Sequence, residues 1–113
     1  MILIILQWTA VLGTLLTGVY ALFWPRKVTG FTGLQPEGGR GVTEIRAVLG
    51  GVFIGLAGAA FFLDQAVSFP MLGITYLVVG VVRTISMFLD RSAVSSNYIS
   101  IAVEFFFGAV LIL

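Results

Sequence analysis

The chain has 113 residues, of which 59% are hydrophobic and 10% charged, and its formal net charge is +1. Soluble globular domains are about half apolar and about a quarter charged, so this composition excludes that class. The chain contains neither cysteine nor histidine, which excludes disulfides, thiolate nucleophiles, histidine bases and the usual zinc or haem ligands. We therefore expect no metal site, and the small net charge gives no reason to expect a nucleic-acid partner.

Four blocks of apolar residues fill most of the sequence, and each is near the length of a membrane-spanning helix. At a rise of 1.5 Å per residue, about 20 residues cross the hydrocarbon core of a bilayer. The sequence therefore predicts an all-α integral membrane protein, a single transmembrane domain over residues 1–113 folded as an up-down-up-down four-helix bundle. The helices are expected at about residues 2–24, 44–63, 71–89 and 96–113.

The end of the first block is marked by an interfacial aromatic residue, a helix breaker and two cations, at residues 24–27. A signal peptide is the competing interpretation. It would need a basic segment at its start, and nothing charged precedes Trp24 except the amino terminus. The block is also too long for the apolar region of a signal peptide, so a retained helix is expected.

The segment after the first block, residues 28–42, is rich in glycine and predicts an exposed loop. Its apolar residues are expected to touch the membrane interface, namely Val28, Phe31 and Leu34. Thr43 is suited to cap the second helix, and Glu44 to interact with the positive end of its dipole. A second turn is predicted at residues 64–70, and a third at residues 90–97.

The basic residues are distributed unevenly between the predicted loops. The segments before the second and fourth helices, with the adjoining helix ends, hold Arg26, Lys27, Arg40, Arg46 and Arg91. The segment at residues 64–70 holds no lysine or arginine. Basic loops stay in the cytoplasm, so this asymmetry predicts that both termini face outward.

Small residues recur every fourth position on the first two predicted helices. The first ridge contains Gly13 and Thr17, and the second contains Gly51 and Gly55 in a GxxxG pattern. Residues four apart share a helix face, and small ones let two backbones approach closely. The favoured interpretation is that these two ridges pack on each other. The alternative is that they form a surface for another subunit.

Arg83 and Glu104 are charges inside predicted membrane spans. Arg83 lies six residues before Leu89 and Glu104 six residues after Tyr98, at the cytoplasmic ends of the two apolar spans, which gives each a depth of about 9 Å. Isolated charges in hydrocarbon are costly, so the two side chains are expected to pair. Arg46, one turn inside the second helix, and the hydroxyl of Ser86 could join them. The pair is either a structural lock between the third and fourth helices or part of a polar pocket open to the cytoplasm.

Several short motifs are shared with a known family. They are Thr43-Glu44-Ile45-Arg46-Ala47, Gly50-Gly51, the segment from Gly80 to Ser86, and Val103-Glu104 followed by Gly108. From Gly41 onward the chain resembles an uncharacterised family of small bacterial four-helix membrane proteins related to the DoxX-like group. The resemblance implies a location in the bacterial inner membrane. It points to the positions Glu44, Arg46, Arg83, Ser86 and Glu104.

Two functions follow from these observations. The first is an accessory or structural subunit of a larger membrane complex, respiratory or photosynthetic, with membrane lipids and other integral membrane subunits as partners. The alternative is a membrane module that binds a lipid or a quinone in the service of an oxidoreductase, an association known for some DoxX-like proteins. No cofactor is expected beyond such a bound lipid or quinone. An enzyme acting alone is not expected, because no catalytic constellation is recognisable.

Overall fold

A computed structural model describes all 113 residues, and every regular element in it is helical. Most of the chain lies in four long helices, which are α1 (Ile2–Phe23), α2 (Gly38–Phe62), α3 (Gln65–Leu89) and α4 (Ser95–Ile112). Each of the four is long and apolar enough to cross a membrane. The prediction of an all-α fold with four long apolar helices is confirmed.

Large apolar side chains are exposed along every one of these helices. Ile2 on α1, Phe62 on α2 and Phe88 on α3 are each at least 74% exposed, and Ile99 on α4 is 65% exposed. Soluble monomers rarely present apolar patches on this scale.

The second helix begins at Gly38 and not at Glu44, so the prediction of a loop up to Val42 is wrong over its last part. Glycine has low helix propensity, which is why the sequence predicts a loop there. In the structure Gly41 packs directly against Pro36, and Arg40 forms an ion pair with Glu44 one turn later. Thr43 is consequently inside the helix and does not cap it, and its hydroxyl donates to the Gly39 carbonyl at 3.0 Å.

The third helix begins at Gln65 and not at Met71, because Asp64 caps it. The Asp64 carboxylate accepts a hydrogen bond from the backbone N–H of Ala66 at 3.1 Å. Pro70, the last residue of the turn predicted at residues 64–70, lies inside this helix. A proline removes one backbone donor, and near the start of a helix this loss is tolerated more easily than in the middle. The turn predicted at residues 64–70 is therefore helical from Gln65 onward.

The connection from α1 to α2 contains two further short helical turns. Pro25–Val28 forms a 3-10 turn, and Thr29–Thr32 follows as a single α-helical turn. Val28 is fully buried and does not reach outward as the sequence suggests, whereas Phe31 and Leu34 are about half exposed. Val28 packs in a cluster with Ala21 and Ile45.

The chain divides into two compact units. One contains Met1–Ala10 and Leu63–Leu113, and the other contains Val11–Phe62. In the first unit α3 packs on α4, and the rings of Trp8 and Phe69 meet edge to face at 5.2 Å. The boundary between the units falls inside α1.

Within the second unit, α1 and α2 approach closely through glycines. A Cβ atom added to Gly18 would lie 2.9 Å from the Gly50 carbonyl oxygen and from the backbone nitrogen of Ile54. One added to Gly50 would lie 3.2 Å from the backbone of Leu22. Side chains at these two positions would force the backbones apart. The α2 face at this contact therefore runs through Gly50 and Ile54.

The predicted contact through Gly51 and Gly55 is wrong. Both glycines are exposed, and a Cβ atom at Gly55 would meet nothing within 4 Å. The contact face lies one residue earlier, on a stretch of α2 whose turns are π-helical, Ile45–Val52. Of the predicted α1 partners, Gly13 and Thr17 are half-buried, and the Thr17 hydroxyl donates to the Gly13 carbonyl of its own helix at 2.8 Å.

Within the first unit, α3 and α4 also cross at glycines, a contact that the sequence does not predict. A Cβ atom added to Gly73 would lie 2.9 Å from the Gly108 carbonyl oxygen, and one at Gly108 would lie 3.1 Å from the Gly73 carbonyl oxygen. Further along α3, Gly80 lies under the ring of Phe105. These glycines bring the facing backbones of the two helices together.

Candidate functional site

Arg83 on α3 and Glu104 on α4 form an ion pair with two-pronged geometry. The Arg83 Nε donates to Glu104 Oε1 at 2.8 Å, and Nη2 donates to Oε2 at 2.8 Å. Glu104 is only 7% exposed, and the Arg83 side chain is about one-third exposed. Such paired contacts fix the guanidinium and carboxylate planes relative to each other. Glu104 is thus buried with its charge balanced.

The close approach of the helices explains why these two side chains meet. Arg83 lies one turn beyond Gly80 on the same face of α3, and Glu104 lies one turn before Gly108 on α4. Gly108 and Gly80 lack side chains at the crossing, so the flanking residues are brought within reach of each other. The glycines set the spacing that the ion pair uses.

Asn97 is a third member of this site. Its Oδ1 accepts a hydrogen bond from Arg83 Nη1 at 3.1 Å, and its Nδ2 donates to the Ser92 carbonyl at 2.8 Å. The sequence predicts only a turn at residues 90–97, whereas the structure places Asn97 in the first turn of α4 and turns it toward Arg83. Asn97 and Glu104 are seven residues apart, two helical turns on one face, and this spacing is the signal that could have identified it.

A cleft of about 360 Å³ lies beside the ion pair. Its walls combine three valines with four polar residues, and the lining is Val78, Val79, Val82, Arg83, Ser86, Ser92 and Asn97. An arginine side chain has five N–H groups. Glu104 and Asn97 engage three of those on Arg83, which leaves two N–H groups on the side chain that lines the cleft. The cleft therefore offers hydrogen-bond donors within apolar walls.

Ser86 lines this cleft but does not contact the ion pair. Its hydroxyl donates to Asp90 Oδ2 at 2.5 Å, at the C-terminal end of α3. The remaining lone pair on the hydroxyl oxygen can accept from a ligand. The structure therefore places Arg83, Glu104 and Ser86 in one region of α3 and α4.

Glu44 and Arg46 have their partners elsewhere, within the second unit. Glu44 pairs with Arg40 on the exposed surface of α2. Arg46 donates from Nε to the Leu22 carbonyl at 3.0 Å, in the last turn of α1. The last carbonyls of a helix lack partners of their own, and a cation favours that end of the helix dipole. Arg46 therefore caps α1.

A second cleft, of about 500 Å³, is lined by residues of α1, α3 and α4 that belong to the first unit. Its polar side chains include Gln7, whose Nε2 donates to the Val110 carbonyl at 2.9 Å. This bond ties the start of α1 to the end of α4. Gln7 is not among the site residues predicted from the sequence.

No group of three or more carboxylates gathers in the structure in a way that would hold a metal ion. Comparison with known proteins finds no matching family model, no matching curated protein and no matching solved structure. The geometry of the chain itself is therefore the basis for inferring its function.

Proposed function

We propose that this chain is an integral membrane protein, with four helices that cross the bacterial inner membrane up-down-up-down and both termini outside. The support is the length and apolar character of α1 to α4 together with their exposed apolar side chains. The orientation follows from the basic residues. Arg26 and Lys27 follow α1 and Arg91 follows α3, whereas Leu63 and Asp64, between α2 and α3, are not basic.

Reporter insertions test this orientation. A reporter enzyme that works only in the cytoplasm should be active when inserted at Gln35, between α1 and α2. A reporter enzyme that works only outside the cytoplasm should be active when inserted at Asp64, between α2 and α3. The reverse pattern would contradict the orientation, and activity at both sites on one side would contradict the spanning of α2.

Within the membrane, the proposed function is to bind the polar head of a lipid-like molecule, a lipid or a quinone, in the cleft beside Arg83. The observation that supports the proposal is the hydrogen bonding of the Arg83 guanidinium. Glu104 and Asn97 hold its guanidinium in place, and two N–H groups are left over for a ligand. The valines of the cleft suit an apolar tail or ring, and the donors suit an oxygen acceptor.

The charge balance of the site favours an uncharged head. Glu104 compensates Arg83, so an added phosphate would bring negative charge that the pair does not neutralise. A carbonyl oxygen accepts hydrogen bonds without adding charge. Quinone carbonyls and the ester carbonyls of lipids share this chemistry.

Filling the cleft without touching the ion pair tests the proposal. Val79→Phe places a ring in the cleft, whereas Val81→Phe is a matched control, because Val81 is similarly exposed and does not line the cleft. Native mass spectrometry of gently extracted protein should detect a bound small molecule in the wild type and in Val81→Phe, with a loss of at least tenfold in Val79→Phe. Equal occupancy in all three proteins would contradict the binding function.

The second candidate function is an accessory or structural subunit of a respiratory or photosynthetic membrane complex. The observation that favours it is the exposed face of α2, where Gly51 and Gly55 contact no other helix of the chain. Small residues on such a face permit close approach by a helix of another subunit. Gly55→Leu should then abolish a stoichiometric protein partner in native mass spectra while the chain itself stays folded. Retention of that partner would contradict this interface.

A further inference from the structure

The connection after α1, residues 24–34, combines unpaired cations with exposed aromatic and apolar side chains. Arg26 and Lys27 are exposed beside Trp24, which is 49% exposed, and Phe31 and Leu34 are exposed to a similar extent. We propose that this connection is a surface foot that binds the anionic headgroups of membrane lipids through Arg26 and Lys27. The inference rests on the proposed membrane insertion but not on the cleft beside Arg83.

The foot is fixed to the helices of its own unit. Pro25 is buried, and Val28 is fully buried against Ala21 and Ile45. The Tyr20 ring lies 5.8 Å from that of Trp24 and 5.7 Å from that of Phe31. A segment held in this way presents its outward side chains in a defined arrangement. Its cations therefore remain at the end of α1.

The polar groups of the foot are largely bonded within it. The Thr29 hydroxyl donates to the Leu34 carbonyl at 2.6 Å, and the Leu34 N–H donates to the Thr32 hydroxyl at 3.0 Å. The Gly33 N–H donates to the Thr29 carbonyl at 3.0 Å. These three bonds hold the turns of the foot in a defined shape.

The charge of the foot indicates what it binds. The ion pairs of the structure join Arg40 to Glu44 and Arg83 to Glu104, so neither Arg26 nor Lys27 has a carboxylate partner. Cations beside interfacial aromatic residues attract anionic headgroups, with about 1 kcal/mol for each charge near the surface. The foot has this combination, because its two unpaired cations lie beside Trp24 and Phe31.

The test is the lipid preference of the full chain in bilayers of phosphatidylcholine and phosphatidylglycerol. Spin-labelled lipids report how strongly each headgroup is enriched around the protein. The variant Arg26→Gln/Lys27→Gln should lose the preference for phosphatidylglycerol, by about fivefold for each charge removed. The matched control is Arg91→Gln, which removes another exposed and unpaired cation. The control should lower the preference far less than the double variant, because it leaves both cations of the foot in place.

The outcomes separate this inference from the membrane proposal. If the double variant keeps the preference, or if Arg91→Gln lowers it equally, the foot is not the headgroup site. Extraction of the wild-type chain from the bilayer by alkali would overturn both proposals. A chain that resists extraction yet shows no headgroup preference would overturn the foot alone.

Discussion

Glycines bring the helices close both where α1 meets α2 and where α3 meets α4. The two contacts differ in the polar groups beside the glycines. Gly18 meets Gly50 in the first contact, and Gly73 meets Gly108 in the second. In the first, the polar bond is Arg46 capping the end of α1 from an exposed position. In the second, Glu104 is buried as a charged group.

This difference indicates which of the two helix contacts has a role besides packing. Close approach at glycines gives van der Waals contact between α1 and α2, and this contact needs no buried charge. A buried ion pair adds little net stability, because its desolvation offsets its attraction. A role in the cleft therefore explains the buried pair between α3 and α4 better than a gain in stability does. The variants described next test this contrast. Stability is the free energy of unfolding in mixed micelles, with circular dichroism as the probe.

The largest expected effect comes from breaking the ion pair. Glu104→Ala should lower the free energy of unfolding by about 3 kcal/mol, because it leaves the Arg83 guanidinium without a counter-charge among buried groups. The double variant Arg83→Met/Glu104→Ala should lose less than the two single losses added, because no charge is then left unpaired. Strict additivity would show that the two side chains do not depend on each other.

Adding one methyl group at each glycine crossing should have the next largest effect. Gly18→Ala and Gly73→Ala each place a Cβ atom 2.9 Å from a backbone oxygen of the facing helix. Each should cost about 2 kcal/mol of unfolding free energy through overpacking. Only Gly73→Ala should also weaken small-molecule binding, because it separates α3 from α4. Weakening by Gly18→Ala of the same size would erase the contrast between the contacts.

Removing the cap of α1 should have a smaller effect. Arg46→Met retains an apolar stem and loses the bond to the Leu22 carbonyl. We expect a loss of about 1 kcal/mol in the free energy of unfolding, because the group is exposed and water replaces part of the bond. Arg40→Met on the same helix is the control and should change it by less, since its ion pair with Glu44 is exposed. A larger loss for Arg40→Met would refute the cap.

The smallest effect is expected at the exposed glycine face of α2. Gly55→Ala meets no atom within 4 Å and should stabilise the isolated chain by about 0.5 kcal/mol, since alanine favours a helix over glycine. A loss of stability comparable to that of Gly18→Ala would place Gly55 in an internal contact after all.

The sequence predicts the four helices and the pairing of Arg83 with Glu104 because both follow from simple quantities. Helix length follows from runs of apolar residues, and the pairing follows from counting along two successive helices. Apolar character does not reveal which face of α2 meets α1, because exposed and packed faces are both apolar. Gly50 and Gly51 are adjacent, and only the structure separates the packed one from the exposed one.

The start points of α2 and α3 could not be predicted for a different reason. Glycines around Gly39 and the proline at position 70 are typical of loops, and their local preference is overridden by neighbouring contacts. Asn97 shows the same limit within the site. An asparagine at the beginning of a helix suits a cap, and its role toward Arg83 depends on a helix that precedes it in the chain.

The π-helical stretch Ile45–Val52 allows α2 to lose one residue and still present its packed face to its partner. In a regular α-helix, deleting one residue rotates everything beyond it by about 100°, which would turn a packed face away from its partner. A wide turn already contains extra residues, so a deletion there can be absorbed by tightening to α-helical geometry. The chain should therefore accept the loss of a single residue such as Val48 far better than the loss of one between Phe53 and Phe62.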